Sequence, residues 1–236
     1  MITVSIIFSL ISCEDNKTVL VSSGSEETEK ANKKYGVATE KYEKKSVRIS
    51  YPVISNLGNI DKEYRINKII KDTALQAIDY YVHGQDIELN IIYEVKYKDD
   101  KYISIAFSGV GDIVNASYPT NHFYTLNIDI DKGERIQLKD VINIDNSLVS
   151  KIKEGKYSPI ENVDGLNKVY ATMNNDSMLT ALENADSQIN VRQAGDIEYY
   201  SYITESAVGI SIEVPHALGD HIEYEISKTE LGYKLE

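Results

Sequence analysis

Four histidines, one cysteine and an excess of carboxylates are the groups in this 236-residue chain with the most obvious chemistry. His216 and His221 stand five apart in "PHALGDH", with Asp220 between them. Zn²⁺ accepts two imidazoles and a carboxylate. A helical pair of ligands needs a spacing of three or four, so His216, Asp220 and His221 could share a metal only through a loop. A polar hairpin loop around Gly219 accounts for the same residues without one. His83 precedes Gly84 at the end of a predicted helix, where a protonated imidazole complements the dipole. His122 follows a Tyr-Pro turn and has no partner nearby in sequence. Asp129, Asp131 and Gly133 invite comparison with a calcium loop. Taking Asp129 as position 1 puts Gly133 at 5, where an EF-hand needs its glycine at 6. There is no Gly-x-Ser-x-Gly elbow, and "SGVGD" at Ser108–Asp112 lacks the following amphipathic helix of a phosphate loop. The expectation is no catalytic residue, no cofactor and no metal site, with His216, Asp220 and His221 the nearest approach to one.

The single cysteine has a different context. Ile2–Ser12 is apolar or small throughout and carries no charged side chain. As a helix such a segment spans roughly 16 Å, about half a bilayer's hydrocarbon core, which suits the apolar region of a secretory signal. Leu10-Ile11-Ser12-Cys13 resembles the bacterial lipobox, an aliphatic residue three before a cysteine and a small residue just before it. That resemblance implies cleavage before Cys13 and a diacylglyceryl group on it. The alternative is a short N-terminal strand with a buried thiol. One cysteine forms neither an internal disulfide nor an all-Cys metal site.

The chain has 25 Lys+Arg against 37 Asp+Glu, a net charge of −12. That balance repels phosphate backbones and argues against nucleic-acid binding. It favours attraction to basic partners, although a solvated surface alone accounts for it as well. Aromatic content is 18 Tyr, 3 Phe and no Trp. Tyrosine suits half-buried strand positions, where the ring packs and the hydroxyl reaches water.

These groups must be positioned by elements, and most are visible as periodicity. Residues 1–12 read as a lipoprotein-type signal peptide and 13–45 as the lipidated cysteine with a flexible tether, since "SSGSEETEKANKK" buries too little apolar surface to offset its ordering entropy. "VRISYPVI" alternates as a strand does. From Asp61 the period changes. Ile66, Ile69, Ile70, Thr73, Ala74, Ala77, Ile78 and Tyr81 form one helical stripe, with Asp61 the expected N-cap and Gly84 the expected C′ residue. Two strands follow around Lys98–Lys101, then a hairpin around Asp131-Lys132-Gly133. That hairpin puts Asn127, Asp129 and Asp131 on one face and Leu126, Ile128 and Ile130 on the other. A helix over Ser147–Glu154 and a helical turn at Met178–Leu182 come next, then a hairpin about Pro215–Gly219. The order predicts an α+β fold with mainly antiparallel sheet, one long amphipathic helix and one or two short ones. The expected division is a first half at 46–118 and a second at 119–236.

"ISYPVI", "EYRINKIIKD", "YISIAFSG", "ASYPTNHFYTLNIDIDKGERIQLKDVI" and "AVGISIEVPHALGDHIEYEISKTEL" occur in an order that resembles the paired, non-catalytic extracellular domains of RsiV-like anti-sigma factors and PdaC-type peptidoglycan deacetylases. The resemblance covers about Val47 to Leu231. It implies an extracytoplasmic α+β module; in RsiV the comparable region binds lysozyme. These 236 residues contain no sigma-binding segment and no deacetylase catalytic domain, so neither activity transfers. The functional expectation is a module lipid-anchored at the outer face of a bacterial cell membrane. Its partner would be lysozyme, another basic protein or peptidoglycan, engaged through tyrosines such as Tyr118, Tyr199, Tyr200 and Tyr202. The alternatives are a small envelope hydrolase or deacetylase using His216, Asp220 and His221, and a purely structural envelope protein.

Overall fold

The computed structural model describes residues 35–81, 84–114, 118–187 and 198–235. Cys13, the signal segment 1–12, most of the tether and His83 lie outside them. The fold is α+β, with a six-stranded sheet in the order β1-β2-β3-β4-β5-β6 and a three-stranded sheet β7-β8-β9. All neighbouring strands are antiparallel except β2 and β3.

Strand β1 (Gly36–Lys44) pairs along its whole length with β2 (Val47–Ser55). The tether expected to run to residue 45 therefore gives way to an edge strand. Its side chains are mostly exposed and charged, which hides a strand from composition and also discourages edge-to-edge pairing. The parallel β2–β3 ladder covers only Val47–Ile49 against Leu89–Ile91. Beyond it β2 has no second partner strand among the described residues, so Pro52 sits where its missing N–H costs nothing on that side. Asn67 takes the place of a strand there: its amide accepts from Ile54 N (2.7 Å) and donates to Ile54 O (2.8 Å).

Helix α1 (Ile60–Leu75) makes the crossover that a parallel pair requires. Its N-cap is Asn59, not Asp61: the Asn59 side chain accepts from Lys62 N at 2.9 Å, and Asp61 and Glu63 fall in the first turn, where they favour the dipole. Ile66, Ile70, Thr73 and Ala74 are buried. The α-helix stops at Leu75 and tightens into a 3₁₀ turn over Gln76–Tyr80, so Gly84 (φ +93°) lies beyond the helix and does not cap it.

Strands β3 (Ile87–Lys98), β4 (Tyr102–Ile113) and β5 (Thr120–Asp129) form the centre of the large sheet, closed by β6 (Glu134–Ile136). Phe107 and Tyr124 stack on the α1 face, and Tyr124 Oη donates to Ala74 O at 2.7 Å. Alternation then sends Thr125, Asn127 and Asp129 to the other face. That face is not solvated, because β7 (Tyr199–Ile203) of the small sheet packs on it, and Asn127 is 1% exposed.

The second core gathers α2 (Leu138–Val141), α3 (Asn146–Lys153), α4 (Leu166–Thr172), α5 (Asn175–Glu183), β8 (Ala207–Glu213) and β9 (His221–Ser227). One buried cluster runs from Tyr35 to Ile130 and the other from Ile136 to Leu231. The two buried clusters thus divide in the β5–β6 region, and β5, an interior strand of the first sheet, belongs with the first cluster. Among the described residues no helix is long and apolar enough to cross a membrane.

Candidate functional site

Two places gather polar side chains, and the sheets position both. The first is the joint between the sheets. Asp186, in the left-handed region at φ +64°, follows α5 and turns its carboxylate inward. Oδ1 accepts from Ser201 N (2.7 Å) and Thr125 Oγ1 (3.3 Å); Oδ2 accepts from Ser201 Oγ (2.5 Å) and Leu138 N (3.0 Å). Thr125 Oγ1 and Asn127 Nδ2 also reach Ser201 O, at 2.5 and 2.9 Å. Ser104 Oγ donates to Asn127 Oδ1 (2.7 Å) and accepts from Ile203 N (2.8 Å). Burial pushes the Asp186 carboxyl up to about 6, against the pull of the Ser201, Leu138 and Thr125 donors. Arg135 donates to Thr73 Oγ1; burial lowers its guanidinium, and the charges of Asp186 and Asp72 work the other way. Every polar group of this cluster has a protein partner, which marks it as structural.

The second place is one end of the large sheet together with the β8–β9 loop. His216 Nδ1 lies 2.8 Å from Asp220 Oδ1. Asp220 Oδ2 accepts from Asn121 N (2.8 Å) and Asn121 Nδ2 (3.2 Å) at the start of β5. Asp220 takes φ +72° directly after Gly219 (φ +101°), and this tight turn is what aims its carboxylate at β5. The side chain of His216 is 50% exposed, that of Asp220 only 15%. His221 points elsewhere: its ring stacks on Phe123 at 4.8 Å, its Nε2 is 3.5 Å from Glu223 Oε1, and its Nδ1 is buried without a hydrogen-bond partner among the described residues. The loop thus unites His216 with Asp220 and separates both from His221. Among the described residues no three His, Cys, Asp or Glu side chains are placed to hold a metal. Asp129 is also accounted for by the protein. Burial pushes it up, but Lys132 N at 2.9 Å and Lys132 Nζ at 2.9 Å outweigh that and hold it below the usual carboxylate range.

Of the four tyrosines expected at a surface, only Tyr118 is freely exposed, at 74%; its ring is 5.9 Å from that of His216. Tyr199 and Tyr202 are buried and Tyr200 is half-buried. Tyr202 lies flat over Gly209, where a Cβ would come within 2.1 Å of the ring. Its hydroxyl donates to Glu225 Oε1 at 3.1 Å, and burial followed by the charges of Glu223 and Glu225 drives the phenol well above its ordinary range. Below the sheet end, Tyr81 Oη and His122 Nε2 are 2.8 Å apart. Gly111 sits over them, since a Cβ there would lie 2.0 Å from Tyr81 Oη.

Sequence reasoning missed the neighbouring cleft of about 430 Å³, lined by Ser46, Arg48, Glu88, Asn90, Val110 and Asp112 among others. Its charged and amide side chains come from three strands, and no local motif announces them.

No family model and no curated protein matches the chain. Two solved structures are similar to it over most of its length. A DUF3298 family protein from Pseudomonas aeruginosa PAO1 has 10% sequence identity and a TM-score of 0.44, covering 83% of this chain and 89% of its own. A DUF3298 family member from Bacteroides fragilis has 11% identity and a TM-score of 0.43, covering 84% of this chain and 92% of its own. Both are bacterial proteins of the DUF3298 family, a designation for a domain of unknown function.

Proposed function

We propose that the chain is a binding module of the bacterial cell envelope, anchored by lipid at Cys13, that captures a basic protein such as lysozyme. The observation that carries this reading is the charge of the small sheet. Between Tyr199 and Ser227 there are five carboxylates (Glu205, Glu213, Asp220, Glu223 and Glu225) and no lysine or arginine. Alternation on β9 buries Ile222, Tyr224 and Ile226 and puts Glu223 and Glu225 on the opposite face. Such a surface steers a cationic partner and loses its hold as salt rises. Tyr118 supplies an exposed aromatic anchor at its rim.

Calorimetric titration of the chain with lysozyme at low and moderate salt tests the proposal. The expected outcome is saturable binding that weakens with salt, and weakens further in Glu223→Gln/Glu225→Gln. Absence of heat at both salts removes lysozyme as the partner and sends the search to peptidoglycan fragments. Palmitate labelling that disappears in Cys13→Ala is the matching expectation for the anchor.

A second reading, a small hydrolase, has one observation in its favour: the His216–Asp220 pair is the base-and-orienter half of a hydrolytic site. His216 makes no hydrogen bond to a serine, threonine or cysteine among the described residues. Ester and amide hydrolysis unchanged by His216→Ala would discard it.

A further inference from the structure

The cleft at the strand ends belongs to neither the joint nor the acidic sheet. Register places its polar side chains in two rows on the face opposite α1. Glu88 pairs directly with Asp112 across β3 and β4, and Arg48, Asn90 and Val110 align across β2, β3 and β4 two residues further along. Side chains paired in this way have Cβ atoms about 5 Å apart, and like charges so placed repel. Neither Glu88 nor Asp112 forms an ion pair among the described residues, and Asp112 Oδ1 is enclosed without any hydrogen-bond partner. A buried carboxylate oxygen in that condition lacks a donor worth more than an ordinary hydrogen bond. Arg48, exposed, opposite Glu43 of β1 in the register and without an ion pair among the described residues, offers the opposite charge one row away. Two residues along a strand span about 6.6 Å and neighbouring strands lie about 4.8 Å apart, so the Arg48 backbone is about 8 Å from that of Glu88, a separation that side chains of this length bridge to the ends of an extended dipeptide and that is well beyond the span of a single amino acid. The volume of about 430 Å³ is of the size that takes small ligands.

We infer that this cleft binds a short zwitterionic peptide, with its ammonium group between Glu88 and Asp112 and its carboxylate on Arg48. Asn90 stands beside Arg48 on the neighbouring strand, two residues from Glu88, where its amide suits the central peptide group. The site is independent of the capture of a basic protein and stands whether or not lysozyme binds.

The test is a titration of the full chain, followed by NMR or calorimetry, with alanyl-alanine, alanine, N-acetyl-alanyl-alanine and alanyl-alanine amide. The expected result is saturable binding of alanyl-alanine, with each of the other three weaker by about tenfold or more. Asp112→Asn should weaken alanyl-alanine by about tenfold and erase the preference against the N-acetyl form. Arg48→Gln should erase the preference against the amide alone. Glu88→Gln, at an exposed position, repeats the Asp112 test if that variant folds poorly. The inference is overturned if alanyl-alanine does not saturate by about 10 mM, if the amide binds as tightly as the free dipeptide, or if Asp112→Asn and Glu88→Gln both bind unchanged.

Discussion

Asp186 and Asp112 put the same side chain in contrasting surroundings. Asp186 sits where two sheets meet and receives hydrogen bonds from Leu138 N, Ser201 N and Oγ, and Thr125 Oγ1. Asp112 lies at an open strand end beside Glu88, with one oxygen enclosed and unmatched. A satisfied buried network holds elements in one arrangement. An enclosed, unsatisfied acceptor costs stability, and Asp112 carries one at the edge of a cleft. The difference separates what holds this molecule together from what it has left to offer a partner.

The strongest way to break the comparison is to remove the joint's centre. Asp186→Ala strands the Leu138 and Ser201 N–H groups, and the loss should be about 3 kcal/mol in urea unfolding at pH 7. A loss below about 0.5 kcal/mol would mean that water replaces the carboxylate and that the joint is not structural. Ser104→Ala, which takes away the acceptor of Ile203 N and the donor to Asn127, should cost about 2 kcal/mol.

Proton linkage sharpens the contrast next. The folded-state value of Asp186, about 6, lies above the ordinary carboxylate value. The stability tied to its protonated form is therefore fully present below that ordinary value and is lost as pH rises through about 6. Between pH 7 and pH 5 the chain should gain about 1 kcal/mol from this group. Asp186→Asn, compared at the same two pH values, should lack that gain. Asp129 acts in the opposite sense, but its depressed value places its effect at more acidic pH. Equal pH slopes in the two proteins would count against a buried, protonatable carboxyl at the joint.

The smallest effects belong to the open end. Asp112→Asn should change stability by less than about 0.5 kcal/mol, and in the stabilising direction, because it relieves the repulsion with Glu88. His216→Ala should also stay within about 0.5 kcal/mol, since a half-exposed side-chain pair contributes little and Asp220 keeps both bonds from Asn121. Urea midpoints of the two variants check both. A large loss in either would move the open end into the scaffold.

Legibility followed distance along the chain. The hairpins β3–β4, β5–β6 and β8–β9 and the helix α1 announce themselves through alternation, helical period and turn residues within about a dozen positions. The pairing of His216 with Asp220 was within reach for the same reason, as they are four apart in one loop. Strand β1 escaped because its apolar content is low, and only β2 beside it makes it a strand. Its outer residues look like tether because an edge strand shows most of its side chains to water. Helix α4 escaped for lack of a cap signal: its N-cap is Gly165, which makes no side-chain hydrogen bond.

The amino-acid order by itself determined the types of the strongly periodic elements, the α+β class and the acidic charge, since each depends on neighbours in sequence or on composition. Only the tertiary structure decided which polar groups are spent and which are free. Asp186 meets Ser201, Leu138 and Thr125 across separations of 15, 48 and 61 residues. The row Arg48–Asn90–Val110 exists only because three strands pair in one register. Slipping that register by one residue would turn every side chain of a strand to the other face. Burial on both faces of β5 is settled the same way, by a second sheet whose position no stretch of β5 encodes. Local patterns carry periodicity. Enclosure, and with it the state of each carboxylate, comes from surfaces brought together over the whole chain.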